Sequence, residues 1–159
     1  MLAAPFFRGE FSCLIVPTGF ANPKYSRVLP ALRASSPRIE RFVTNGGNLL
    51  VFGAAIDNPD AYDWLPFPVR YHHDYRQRSV ACPPESRAAT LLADYDPSCV
   101  ECDGFFSGHT SLPAGSSEDR PVLFDERVGS GRIIVTSIHE YPSRAFITGF
   151  CAAGTQTLF

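Results

Sequence analysis

Lysine is almost missing from this chain: Lys24 is the only one, and arginine supplies the rest of the 14 basic side chains. These bases do not outnumber the 16 acidic residues, and the net charge is -2. No electrostatic field therefore favours nucleic acid or an anionic membrane surface. The arginine bias reads as genome composition rather than phosphate recognition. Long apolar runs are missing too, since none approaches the roughly 20 residues a transmembrane helix needs. The stretch Met1–Arg8 lacks a basic leader and is broken by Pro5, so it does not read as a signal peptide. A cytoplasmic location is expected. No internal repeat and no linker divides the chain, which reads as one domain over residues 1–159. No glycine-rich phosphate loop opens a helix. Gly129-Ser130-Gly131 joins strand to strand, so no nucleotide cofactor is expected.

What is present is the make-up of a folded globular protein, 45% hydrophobic and 19% charged. Five cysteines are an odd number, in a chain of 159 residues that can bury a core without disulfides, so reduced thiols are the default. Phe11–Val16 is a short apolar run ended by Pro17-Thr18-Gly19, which reads as a buried strand and a loop. A helical stretch follows over residues 26–44. Pro30 and Pro37 perturb it, and Ser36-Pro37 could restart a turn with the serine as cap. Ile39, Phe42 and Val43 share one face, and Asn45-Gly46-Gly47 stops the helix. Asn48–Phe52 is a second buried strand. Strand, helix and strand make a βαβ unit, which requires parallel pairing.

The middle of the chain is less regular. Residues 63–71 are aromatic and proline-rich and read as a loop or a short edge strand. Ala88–Ala93 reads as a helical turn, Val100–Phe106 as a strand and His109–Asp119 as a surface loop. Pro121–Phe124 and Arg132–Ser137 are strands joined by a turn, and Ser143–Cys151 is a terminal helix.

Three groups of residues are candidates for chemistry. His139-Glu140 follows a strand, where α/β sheets place ligands, and can supply a base or a hydrogen-bonding pair. A structural histidine at the start of the last helix is the other reading. Thr18-Gly19 can present backbone donors to a carbonyl or an anion, or can simply end a strand. Cys82, Cys99 and Cys102, with His72, His73 or His109 as a fourth ligand, are the makings of a zinc site. That reading conflicts with a strand over 100–106, which turns Cys99 and Cys102 to opposite faces. No metal is assigned on this basis. Tyr62, Trp64, Phe67, Tyr71 and Tyr75 form an aromatic cluster that suits packing, a lid or an interface.

Leu14-Ile15-Val16-Pro17-Thr18-Gly19, then Ile39–Ala55, then Gly129–Glu140, resemble in order and spacing the class I glutamine amidotransferase-like superfamily. That group includes amidotransferase domains and degenerate relatives such as trehalose-utilisation-type proteins and beta-galactosidase middle domains. The resemblance covers well under half of the chain. It implies a three-layer α/β sandwich, flavodoxin-like, with a mostly parallel sheet and an antiparallel C-terminal extension. It likens Thr18-Gly19 to an oxyanion loop, Gly53-Ala54-Ala55-Ile56 to a nucleophile elbow and His139-Glu140 to the family's histidine and glutamate. The departures are specific. Alanine replaces the cysteine nucleophile, and the residue that usually separates histidine from glutamate is absent. The resemblance therefore implies a domain without glutaminase activity. Its pocket would involve Thr18, Gly19, Ala54, Asp57, Asp103, His139 and Glu140, and would bind a small ligand or a partner. A hydrolase with His139 as general base, oriented by Glu140 or Asp103, is the alternative. Relatives usually have a strand before the one at Phe11, so an open sheet edge and a homodimer are further expectations.

Overall fold

The computed structural model describes residues 9–159, and Met1–Arg8 lies outside them. The apolar run at the start divides at Ser12 into β1 (Glu10–Phe11) and β2 (Cys13–Val16). Next comes α1 (Val28–Thr44), one uninterrupted helix despite its prolines. Pro30 falls in the first turn, where amide hydrogens have no intrahelical partner to lose. Pro37 lies inside and removes one ladder bond. Ser36 does not cap a new turn as its sequence suggests. Its hydroxyl instead donates to the Trp64 carbonyl at 2.7 Å, a tertiary bond that overrides the local signal. The N-cap residue Arg27 makes no side-chain cap bond, and the Ser26 hydroxyl before it accepts from the Val28 amide. At the other end Gly46 adopts φ +111°, and the Gly46 and Gly47 amides return to the carbonyls of Val43 and Phe42. Asn45 stays right-handed, so the stop rests on glycine alone.

The chain continues through β3 (Asn48–Val51), β4 (Arg70–Arg78), the short α2 (Arg87–Leu91), β5 (Val100–Ser107), β6 (Gly115–Ser117), β7 (Arg120–Val128), β8 (Gly131–Thr136), α3 (Arg144–Ala152) and β9 (Thr157–Leu158). Five strands make a mixed sheet in the order β2-β3-β8-β7-β6. The βαβ expectation holds: β2 and β3 are parallel, and β8 joins β3 in parallel, so that Val16, Val51 and Val135 lie in one row. Beyond β8 the sheet is antiparallel, through the Gly129-Ser130 turn to β7 and on to β6. Parallel pairing thus joins three of the five strands, and the two remaining pairings are antiparallel. Two elements depart from the sequence reading of the middle. β4 is a nine-residue strand over polar residues, and β6 lies inside what reads as a surface loop.

Side chains alternate across the sheet, as a strand requires. Leu49, Val51, Ile133 and Val135 point into a core shared with Leu32, Ile39, Phe42 and Val43 of α1. Leu50, Phe52 and Ile134 point into the other, with Phe146 and Phe150 of α3 and Leu91 of α2. The β4–β5 pair forms its own ladder but is tied to the end of β8. The Asp103 amide donates to the Ser137 carbonyl at 2.7 Å, and the His139 amide to the Glu101 carbonyl at 2.8 Å. These two bonds fix everything that follows at the site. Among the described residues, no helix is long and apolar enough to cross a membrane.

Candidate functional site

Three strand ends meet at one edge of the parallel part of the sheet: β2 at Pro17-Thr18, β3 at Phe52-Gly53 and β8 at Ser137-Ile138-His139. A cleft of about 330 Å³ opens there. Ile15, Pro17, Phe52, Pro142 and Ile147 make its apolar wall, and Thr18, His139 and Glu140 bring polar atoms to it, with Tyr141 at the lip. A larger hollow of about 460 Å³ beside α2 is bordered by Val80, Cys82, Leu92 and Tyr95, and brings no acid–base pair together.

His139 is held by Asp103, with Nδ1 at 3.0 Å from Oδ1. The carboxylate is only 3% exposed and the imidazole 44%. The buried carboxylate thus fixes the Nδ1 side of the ring, and the half-exposed imidazole borders the cleft. Burial raises the Asp103 carboxyl above the usual aspartate range, and the neighbouring His139 only partly opposes this. The second oxygen, Oδ2, is buried without a partner. It sits where a side chain at position 53 would begin, because a Cβ on Gly53 would fall 2.3 Å from it. Glycine is therefore required at 53 by the carboxylate packed against it.

Glu140 faces a different partner from the one its adjacency to His139 suggests. Its Oε1 accepts the Glu101 amide at 2.5 Å, and its Oε2 is buried and unpaired. Tyr75 donates its hydroxyl to Glu101 at 2.6 Å and sets its ring edge-on to His139 with centroids 5.5 Å apart. The orienting carboxylate is Asp103, and Glu140 braces the strand that carries it.

The turn after β3 is closed to chemistry in two ways. Ala55, rather than Ala54, takes the left-handed conformation, with φ +52°, and ends in a methyl group. Ala54 is wholly buried and does not border the cleft. The hydroxyls of the buried Tyr62 and Tyr71 lie close to the turn's backbone at Ala54 and Ala55. The same hydroxyls donate to the carbonyls of Phe52 (2.8 Å) and Asp103 (2.9 Å). Burial pushes both phenols far up, so each stays neutral and hydrogen-bonded. No helix follows the turn; residues 56–69 run as bends and turns.

The other expected site residues divide. Thr18 borders the cleft. Gly19 does not offer a donor, because its amide is spent on the Gly53 carbonyl at 2.9 Å, and its φ of +78° serves the turn. Asp57 is exposed in the loop and does not border the cleft. The zinc reading fails on geometry. Cys99 is exposed before β5, Cys102 is buried within it, and Cys82 lies against Gly115. Among the described residues no group of three His, Cys, Asp or Glu side chains is placed to hold a metal ion. His109 is occupied elsewhere, between Phe67 and Phe124 and 3.0 Å from Glu126. Sequence reasoning missed Tyr62 and Tyr71 as neighbours of the turn. The available signal was that these aromatics carry hydroxyls, which need partners when buried.

No protein-family model matches the chain, and no curated protein matches it. Solved structures do. A beta-galactosidase from Bacillus circulans sp. alkalophilus superposes with a TM-score of 0.55 at 14% identity, over 89% of this chain and 22% of that one. The beta-galactosidase from Rahnella sp. R3 gives 0.54 at 14% identity, over 89% and 22%. A GH42 beta-galactosidase from G. stearothermophilus gives 0.51 at 14% identity, over 87% and 20%. The likeness is one of fold, and the chain spans about a fifth of the length of these enzymes.

Proposed function

We propose that this chain is a degenerate, flavodoxin-like three-layer domain of the amidotransferase-like kind, and that it binds a small ligand without net negative charge in the strand-end cleft without cleaving it. The observation that carries this reading is the turn after β3: Ala55 takes the left-handed conformation and ends in a methyl group where a nucleophile would be, and Ala54 beside it is wholly buried. Helices packed from opposite faces of the sheet support the three-layer assignment. A ligand without net negative charge follows from the cleft lining, which has an imidazole, a carboxylate and two hydroxyls but no lysine or arginine. A ligand of net negative charge, such as a phosphate ester, would meet Glu140 with no lysine or arginine to offset it. Glutamine, from the resemblance, and galactose, from the enzymes that share the fold, are the first two ligands to try.

The test is methyl and histidine NMR of the labelled chain titrated with each compound. Shifts confined to Ile15, Ile147 and His139, lost in His139→Ala, with glutamine recovered intact, are the expected result. Release of ammonia from glutamine, or labelling of the turn by a thiol-reactive glutamine analogue, would overturn it. A second reading rests on the 3.0 Å His139–Asp103 pair, which has the geometry of a general base acting on water. It requires turnover of an activated ester that disappears in both His139→Ala and Asp103→Asn.

A further inference from the structure

We propose that Cys13 and Cys151 are a redox pair whose disulfide ties α3 to β2 directly beneath the cleft. Cys13 opens β2 on the face that packs against the α3 core. Ile15, two residues on and hence on the same face, is 47% exposed and lines the cleft. Cys151 lies near the end of α3, one turn after Ile147, which lines the cleft from the other side. The cysteines thus form the layer immediately under the Ile15–Ile147 layer. Two contacts between their neighbours hold the two elements together here, and the Cys13 thiol, which donates to the Leu14 carbonyl at 3.6 Å, also senses Cys151. Cys13 is in register with Asn48, whose side chain donates to the Phe150 carbonyl at 2.7 Å. Just beyond α3, a Cβ on Gly154 would fall 2.1 Å from the Ser12 carbonyl oxygen, so the two backbones touch. A disulfide here would join two elements whose backbones already touch. Cys82, Cys99 and Cys102 belong to other elements, and all five are free thiols here.

The oxidant is a low-molecular-weight disulfide such as glutathione disulfide. The Cys151 thiolate attacks one of its sulfurs, the S–S bond breaks, and one glutathione thiolate leaves and is protonated. Cys13 then loses its proton and attacks the Cys151 sulfur, and the second glutathione leaves as thiol. One protein disulfide forms, the glutathione disulfide is reduced, and the two cysteine protons end on the two glutathiones. The order follows from the surroundings: burial, reinforced by Cys151, pushes the Cys13 thiol up to about 12, which suits it to the second, intramolecular step. The bond fixes the spacing of Ile15 and Ile147, and so sets the width of the cleft floor.

The test needs no ligand and so stands apart from the binding reading. The whole chain is equilibrated in glutathione buffers of increasing disulfide content, quenched with maleimide, digested and mapped by mass. The expected result is a Cys13–Cys151 cross-linked peptide lighter by two hydrogens, reversed by reductant. Cys82, Cys99 and Cys102 remain open to alkylation. The Ile15 and Ile147 methyl resonances move on oxidation, and in Cys13→Ala and Cys151→Ala they do not. Alkylation of both Cys13 and Cys151 at the most oxidising ratio, or a link from either to another cysteine, overturns the proposal. The wild-type map decides the matter even if either variant folds poorly.

Discussion

The ends of β3 and β8 lie side by side in one parallel sheet and have opposite characters. After β3 the backbone is strained at Ala55, the buried Tyr62 and Tyr71 pack beside the turn, and nothing reactive faces outward. After β8 a half-exposed imidazole stands on a buried carboxylate with one ring nitrogen free. One end is sealed by its own core and the other is held open. The difference teaches that a strand-end scaffold and the groups it displays are separable: the same edge keeps a half-exposed imidazole at one strand end and only packing at its neighbour.

The contrast can be broken at four points. The largest effect is expected from Gly53→Ala, which drives a methyl group into the Asp103 carboxylate and Cβ. A loss of about 2–4 kcal/mol of unfolding free energy in urea melts is expected from overpacking and a displaced buried charge. Loss of the His139–Asp103 contact in NMR should accompany it. Next is Tyr71→Phe, which leaves the Asp103 carbonyl without its buried hydroxyl partner, at a cost of about 1–3 kcal/mol. Smaller and of opposite sign is Ala55→Gly. Relief of the left-handed strain exceeds the entropy glycine adds to the unfolded chain, for a gain of about 0.5–1 kcal/mol by thermal or urea denaturation. A Tyr71→Phe protein as stable as wild type would mean that this hydrogen bond is not made as described.

The fourth effect is a slope rather than a level. Asp103 is raised in the folded state, so between its unfolded pKa of about 3.9 and the higher folded value the native chain binds more protons than the unfolded one. Its contribution to stability is complete below the unfolded pKa and is lost as pH rises through the folded one. Asp103→Asn should flatten this fall in a series of urea melts across mildly acid pH, and an unchanged slope would place its origin elsewhere.

Much of the sheet was legible in the sequence. β2, α1, β3, β7, β8 and α3 each announce themselves through an apolar period and a local stop, and Ser143 caps α3 by accepting from the Phe146 amide. β4 was not legible because its residues, Arg70–Arg78, are mostly polar and its partner β5 begins 22 positions further on. The site was half legible. His139 follows from its place after a strand, whereas Asp103 as its holder depends on β5 pairing with Ser137–His139, a contact with no local pattern. Of the two carboxylates that the sequence offers to orient His139, Asp103 meets the ring, while Glu140 borders the cleft and accepts the Glu101 amide, a partner that chain adjacency does not show.

Gly53 and Asp103, 50 positions apart, fill one volume between them. Neither can be altered in isolation: a larger residue at 53 needs a shorter one at 103, and a longer one at 103 has nowhere to go while 53 keeps its backbone path. Among sequences descended from a common ancestor of this chain, the two columns should therefore change together or not at all. Histidine at 139 should disappear where the aspartate does, leaving a traceable record of which lineages kept the open end of the cleft.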